Sequence, residues 1–306
     1  MRLPASPEFR TRLFQAITDR FPTHRIHDSA WARGCYRLLL ELIRPNDTIV
    51  LRTPHYRIRY RRLPRRQIAR YIAIKRAYEP LVTGTLRDRA ARGGLIVDVG
   101  ANIGHFTLVS ALAAGDRGHV VAFEPAAEIH AELQANVALN GLGNVTCVQA
   151  ALGAAPGTAK LHRHQRNPGG HSLSIGNVYD GVGEISEIPV LTLDQVVAER
   201  FGGQRVTAIK LDVEGSEPAV LAGAQQVLAR DRPALILEYW PFGIKNCGLD
   251  AVGMLTGLEA LGYRLSNLED YESSGRVLPT TAAAIAARYT AESRANVAYL
   301  LAEANA

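Results

Sequence analysis

Four acids and one glycine loop carry the chemistry that is readable in this chain. Asp98 closes the apolar run "LIVDV" and leads straight into Gly100-Ala-Asn-Ile-Gly104. Glu124 closes the next run, "HVVAFE", Asp212 closes "AIKLD", and Glu238 falls near the end of "ALILEYW". Acids at the ends of successive apolar runs, beside a glycine turn, are the polar rim of a sheet that binds a nucleotide-like ligand. Plain loop acids are the alternative reading of Asp98 and Glu124.

Three cofactors compete for the loop. A dinucleotide turn wants G-x-G-x-x-G so that backbone can crowd a pyrophosphate, but Asn102 and His105 stand where its second and third glycines belong. A phosphate-cradling P-loop needs G-K-[ST], and Gly104 is followed by His105 and Phe106. S-adenosylmethionine (SAM) has no phosphates and asks for room around an amino-acid end and a ribose. Gly100 and Gly104 supply close turns, and Asn102 can donate to a carboxylate or ribose. Asp98 can accept from the cofactor ammonium, directly or through water, and Glu124 from both ribose hydroxyls. Gln149, at the end of the third strand, falls where the adenine edge belongs.

For these groups to meet, the runs must be neighbouring strands. From Leu95 onward the chain alternates strand, loop and helix: "LIVDV", "HVVAFE", "VTCVQAAL", "VTAIKLDV" and "ALILEYW" as strands, with "YRLSNL" and "NVAYLL" near the end. "SEPAVLAGAQQVLAR" reads as one helix between the fourth and fifth strands. Such alternation predicts a mostly parallel, doubly wound α/β sheet with its ligand at the carboxyl ends of the central strands. Ahead of it, Trp31, Cys35, Leu38, Leu39 and Leu42 form a helical stripe, and "TIVLRTPHYRIRY" reads as a hairpin around Thr53-Pro54. The expected division is 1–76, a helical and hairpin accessory region, and 77–306, the catalytic domain.

The ordered series "VDVGANIGHFT", "FEP", "QANVALNG", "TLDQV", "IKLDVEGSEPAVLAGA" and "LILEY" resembles the FkbM-type SAM-dependent methyltransferases, with "AYEP" and "NPGGHSLS" as weaker echoes. The resemblance spans roughly Ala77 to Tyr239. It implies a class I methyltransferase (Rossmann-like) fold, with a seven-stranded sheet whose last strand is antiparallel. It also implies SAM as cofactor and O-methylation of sugars or glycans, lipids or secondary metabolites.

A hydroxyl acceptor must lose its proton, and a placed general base is worth about 10²–10⁴ in rate. Asp212, Glu214, Glu238 and His171 are the candidates, with Asp212 first by position. Lys210 shares a strand face with Asp212 and either orients the acceptor or forms an internal salt bridge. Asp212 with Glu238 is alternatively a Mg²⁺ pair. Asn167, Gly169 and Gly170 lie in an insertion that reads equally as a lid or a plain hairpin loop.

The chain has 306 residues, 47% apolar and 21% charged, with a net charge of +6. Three cysteines without metal or disulfide spacing fit a reducing compartment. No signal peptide or apolar span is readable, so a cytoplasmic protein is expected. Between Arg52 and Arg76 nine further arginines and lysines occur with no acid. This stripe is a solvated face, a surface for an anionic acceptor with Arg57, Arg59, Arg61 and Arg62 in front, or an RNA contact. Nucleic acid is the weaker partner, because no amino-methylation motif or Pro-Cys pair is present. A SAM-binding protein without catalysis is the remaining rival.

Overall fold

The computed structural model describes residues 48–53, 55–61, 78–165, 168–179, 181–202, 204–270 and 278–304, with isolated positions between 6 and 16. The helical stripe from Trp31 to Leu42, the basic run 62–76 and Asn167 lie outside the described residues.

The expected hairpin is present: β1 (Thr48–Arg52) pairs antiparallel with β2 (Arg57–Arg61). After α1 (Pro80–Ala90) come β3 (Gly94–Val99), α2 (His105–Ala114), β4 (Gly118–Phe123), α3 (Ala127–Leu139) and β5 (Val145–Val148). A side sheet follows, made of β6 (Ala151–Leu152), β7 (Gly157–His164) and β8 (Val182–Leu191). Then α4 (Leu193–Arg200) leads to β9 (Val206–Leu211), and α5 (Glu217–Ala222) with α6 (Gln225–Asp231) to β10 (Ala234–Tyr239). The chain continues through α7 (Pro241–Asn246), α8 (Ala251–Ala260), β11 (Tyr263–Asn267), β12 (Pro279–Thr280), α9 (Ala282–Arg288) and β13 (Ala298–Ala304).

The main sheet has the order β12-β11-β13-β10-β9-β3-β4-β5. β5, β4, β3, β9 and β10 are parallel, and β13 runs antiparallel between β10 and β11. This is the class I methyltransferase sheet with its antiparallel last strand. One correction applies: the two-residue β12 pairs with β11 and makes an eighth, edge strand. Two runs also break. "VTCVQAAL" leaves the main sheet after Val148, because Ala151 and Leu152 pair with β8 instead. "SEPAVLAGAQQVLAR" divides at Gly223-Ala224, where Gly223 lies against the carbonyl of Gly153.

Strand alternation decides which face each side chain takes. Leu95, Val97 and Val99 enter a cluster with Val196 of α4, Leu228 of α6 and Leu258 of α8. Ile96 points the other way, against Leu86 of α1 and Phe106 of α2. Each such burial is worth about 1.5–3 kcal/mol, which offsets the cost of burying charge at the strand ends. Asp98 shares the face of Ile96, level with Lys210 on β9. The hairpin belongs to the same body, since Tyr56 and Ile58 are buried together with Leu108 and Ile129.

Candidate active site

A cavity of about 1120 Å³ lies at the carboxyl ends of β3, β4, β9 and β10. Gly100, Asn102, Glu124, His171, Lys210, Asp212, Glu214 and Glu238 all line it. Asp98, Gly104 and Gln149 do not. Gln149 is exposed, and its buried neighbour Ala150 faces the cavity in its place.

The glycine loop spends its amides on itself and on Phe123 and Glu124. Gly100 and Ala101 N–H both donate to the Phe123 carbonyl (3.1 and 2.9 Å), and Gly104 N–H donates to Ala101 O (2.9 Å). Asn102, at φ 50°, donates its N–H to Glu124 Oε2 (3.0 Å), while its own Oδ1 accepts from Ile103 N–H (2.8 Å). The amides from Gly100 to Gly104 are therefore all committed, and a pyrophosphate would find no donors there, in contrast to phosphate-binding turns. Glu124 is 6% exposed and accepts one further N–H, from Ala126 (2.9 Å). Each oxygen keeps a second acceptor position. Burial, only partly opposed by those two N–H groups, pushes its carboxyl up to about 7.

Asp98 sits behind the loop. It is fully buried, accepts from Thr107 Oγ1 (2.6 Å) and lies 3.8 Å from Lys210 Nζ. Burial raises its pKa despite Lys210 and Thr107. Lys210 is 3% exposed, with Nζ 3.3 Å from Asp212 Oδ2 and donating to Gly100 O at 3.3 Å. Burial works against its charge, but Asp212, Asp98 and Glu79 together hold its pKa above the usual value. The lysine thus joins the loop to Asp212 as an internal ion pair. Asp212 N–H also donates to Val99 O (3.2 Å), so its backbone is tied to β3.

Beyond Lys210 the same sheet face carries Glu238, which is level with Tyr299 on β13. Burial, then the charges of Asp212, Glu214, Glu217 and Glu79, push the Glu238 carboxyl well above the usual range. Its Oε2 has no hydrogen-bond partner among the described residues. Glu214 is raised for the same reasons, burial first and then Asp212 and Glu217. Its backbone sits at φ 54°, and its carbonyl accepts from Ser172 Oγ (3.0 Å) and Asn177 Nδ2 (2.8 Å). The insertion is thereby fastened to the turn after β9, with Gly169, His171 and Leu173 on the cavity wall. His171 Nδ1 accepts from His164 N–H (3.0 Å).

Glu79, Tyr78 and Tyr299 also line the cavity, and the sequence assigns them no site role. Glu79 belongs to "AYEP", noted above without a role. It takes φ 40° and accepts from Tyr299 OH at 2.8 Å. As for Mg²⁺, no three His, Cys, Asp or Glu side chains gather as a ligand set among the described residues, and Asp212 is paired with an ammonium. No helix among them is long and apolar enough to cross a membrane.

The Methyltransferase FkbM domain model matches residues 98–265. Methyltransferase sdnD of Sordaria araneosa is 33% identical over 162 residues, 52% of this chain and 54% of that protein. Methyltransferase 1 of Beauveria bassiana is 29% identical over 144 residues, 42% of this chain and 57% of that protein. The chain thus spans about half the length of these curated relatives. The FkbM methyltransferase structure from Methylobacillus flagellatus aligns with a TM-score of 0.41 at 14% identity, covering 77% of this chain and 52% of that one. With more than half of its residues inside the family match and the expected sheet in place, the chain belongs to the FkbM methyltransferase family.

Proposed function

We propose that the protein is a SAM-dependent O-methyltransferase acting on a hydroxyl of a sugar, glycan, lipid or secondary metabolite. The observation that carries this reading is one cavity walled by two different chemistries. A loop with no free amides for phosphate, and the buried Glu124, lie on one part. Asp212, Glu214, Glu238 and Glu79 lie on another. Glu124 and Asn102 would hold the ribose and amino-acid ends of SAM, and Ala150, Ala151 and Leu152 supply an apolar wall for its base. When bound, SAM supplies an electrophilic methyl group for in-line displacement.

The chain's own task is to orient the acceptor and take its proton. Asp212 takes it. Glu238 and Glu214, both held toward the neutral acid, donate hydrogen bonds to the acceptor's oxygens. Lys210 is the one lysine or arginine among the described residues of the cavity wall, and its charge is already shared by Asp98 and Asp212. The Arg57 guanidinium is engaged elsewhere, donating to Leu139 O (2.6 Å) at the end of α3. With no uncommitted cation to meet an anion, we assign a neutral hydroxyl compound.

Glu124 offers a test of the cofactor half. Its ionised form is the better acceptor for a diol, and its carboxyl titrates at about 7. SAM affinity is expected to rise from pH 6 toward pH 8, approaching tenfold per unit below the pKa and levelling above it. Glu124→Gln is expected to bind weakly and without that slope. Titration calorimetry of both proteins checks this, and equal slopes would remove Glu124 from the cofactor site. For the acceptor half, SAM with a labelled methyl is incubated with fractionated host extract, with and without EDTA. Label in a glycan, lipid or small-metabolite fraction, insensitive to EDTA, is the expected result. Label in RNA, or SAM binding without any transfer, would overturn the reading.

A further inference from the structure

The hairpin lies outside the segment that the family model matches. Its contacts nevertheless reach the cavity from behind. Tyr56 is 7% exposed, and its hydroxyl bonds His105 Nδ1 on the first turn of α2. The other ring nitrogen, Nε2, is 3.0 Å from Thr83 Oγ1, and Thr83 Oγ1 donates to the Tyr78 carbonyl at 2.6 Å.

With Thr83 donating forward to Tyr78, Nε2–H donates to Thr83, and Nδ1 either accepts from Tyr56 O–H in a neutral ring or donates to the Tyr56 oxygen in a charged one. Burial of the ring against Tyr56, Tyr78 and Phe106 selects the neutral form, in which Tyr56 O–H donates to a bare Nδ1. The same burial holds its pKa down to about 3. The carbonyl at the end of the chain opens the peptide into Glu79, whose left-handed backbone and Tyr299 contact set its carboxylate on the cavity wall.

A second set of bonds fixes the hairpin itself. Asn136 near the end of α3 and Asn140 just beyond it act as strand partners for an edge of β2. Asn140 accepts from Arg57 N–H (2.8 Å) and donates to Arg57 O (2.6 Å), and Asn136 does the same with Arg59 (2.6 and 3.2 Å). Asn136 Nδ2 also donates to Ile103 O in the glycine loop (2.7 Å).

We propose that Tyr56, carried by the N-terminal hairpin, is a positioning residue that sets the Glu79 carboxylate through the His105–Thr83–Tyr78 hydrogen-bond chain. Glu79 in turn determines which acceptor fits beside Asp212 and Glu238. That last clause rests on the methyl-transfer reading, while the Tyr56–Glu79 coupling does not.

The test uses the full chain labelled with ¹⁵N-histidine and ¹³C-carboxyl glutamate, with Glu79→Gln identifying the Glu79 signal. In the wild type, His105 is expected as the Nε2–H tautomer without titration between pH 5 and 8. Tyr56→Phe removes one hydroxyl and keeps the ring. It is expected to move both the His105 Nδ1 resonance and the titration midpoint of Glu79. Thr83→Val cuts the chain nearer Glu79 and should move that midpoint as well, which guards against a folding defect in the first variant. A Glu79 titration unchanged in both variants overturns the proposal and leaves methyl transfer untouched. Conversely, a coupled Glu79 in a protein that methylates nothing overturns only the functional reading. With an acceptor in hand, Tyr56→Phe should raise its KM about tenfold and leave SAM affinity unchanged. In a Glu79→Gln background the same substitution should add nothing. Additive effects would mean that Tyr56 acts through general stability, against the proposal.

Discussion

Asp212→Asn is expected to lower kcat by about 10²–10⁴-fold while SAM affinity stays within a few-fold of wild type. The amide keeps the shape of the side chain and can still face Lys210, but it cannot accept the acceptor's proton. The cofactor wall keeps its own bonds, because Gly100 and Ala101 N–H hold Phe123 O, Asn102 N–H holds Glu124, and Lys210 can stay on Gly100 O. Glu238→Gln should behave differently. Burial and neighbouring acids favour the protonated form of Glu238, so its role at neutral pH is to donate, and a glutamine N–H donates as well. The expected loss there is under tenfold. Single-turnover rates at saturating SAM decide the matter. A glutamine variant more damaged than the asparagine variant would transfer the base role to Glu238.

The rim of acids was legible because strand ends are legible. Apolar runs of fixed length bounded by glycine or an acid place Asp98, Glu124, Asp212 and Glu238 at one edge of a parallel sheet. What a run cannot reveal is depth. Asp98 and Asp212 look equivalent in sequence, yet Asp98 falls on the α2 face beneath the loop, whereas Asp212 reaches the cavity. Gln149 illustrates the same limit in reverse, since a break in pairing after Val148 turns its neighbour Ala150 inward. Glu79 was missed for another reason. It precedes α1, far from any strand end, and reaches the cavity by a left-handed backbone and a hydroxyl on β13, 220 residues away. Its trace in the sequence was "AYEP" itself, a proline that starts a helix directly after an acid. The side sheet was equally hidden, because β7 and β8 are mixed-polarity strands with little continuous burial.

Gly100→Ala is expected to destabilise the fold by about 2–5 kcal/mol, the sum of a left-handed conformation denied to alanine and an overpacked contact. Gly100 sits at φ 76°, and an added Cβ would stand 1.9 Å from the carbonyl oxygen of Asp212. That neighbour is backbone, so no rotamer change relieves the overlap. Either the loop lifts from β9 or the Asp212 peptide moves away from β3, breaking its N–H bond to Val99. Both routes act on cofactor and acceptor walls together, because Lys210 Nζ also rests on the Gly100 carbonyl. The folded fraction should therefore lose SAM affinity and turnover in one step, where Asp212→Asn loses only turnover. Gly257→Ala in α8 is the matched control: open space surrounds it, and alanine in a helix interior is favoured by about 1 kcal/mol. Urea denaturation and SAM calorimetry on both variants separate the outcomes. A Gly100→Ala protein of wild-type stability that binds SAM normally would mean the loop and the acid turn move independently. The close backbone contact between Gly100 and Asp212 would then not be what aligns cofactor with base.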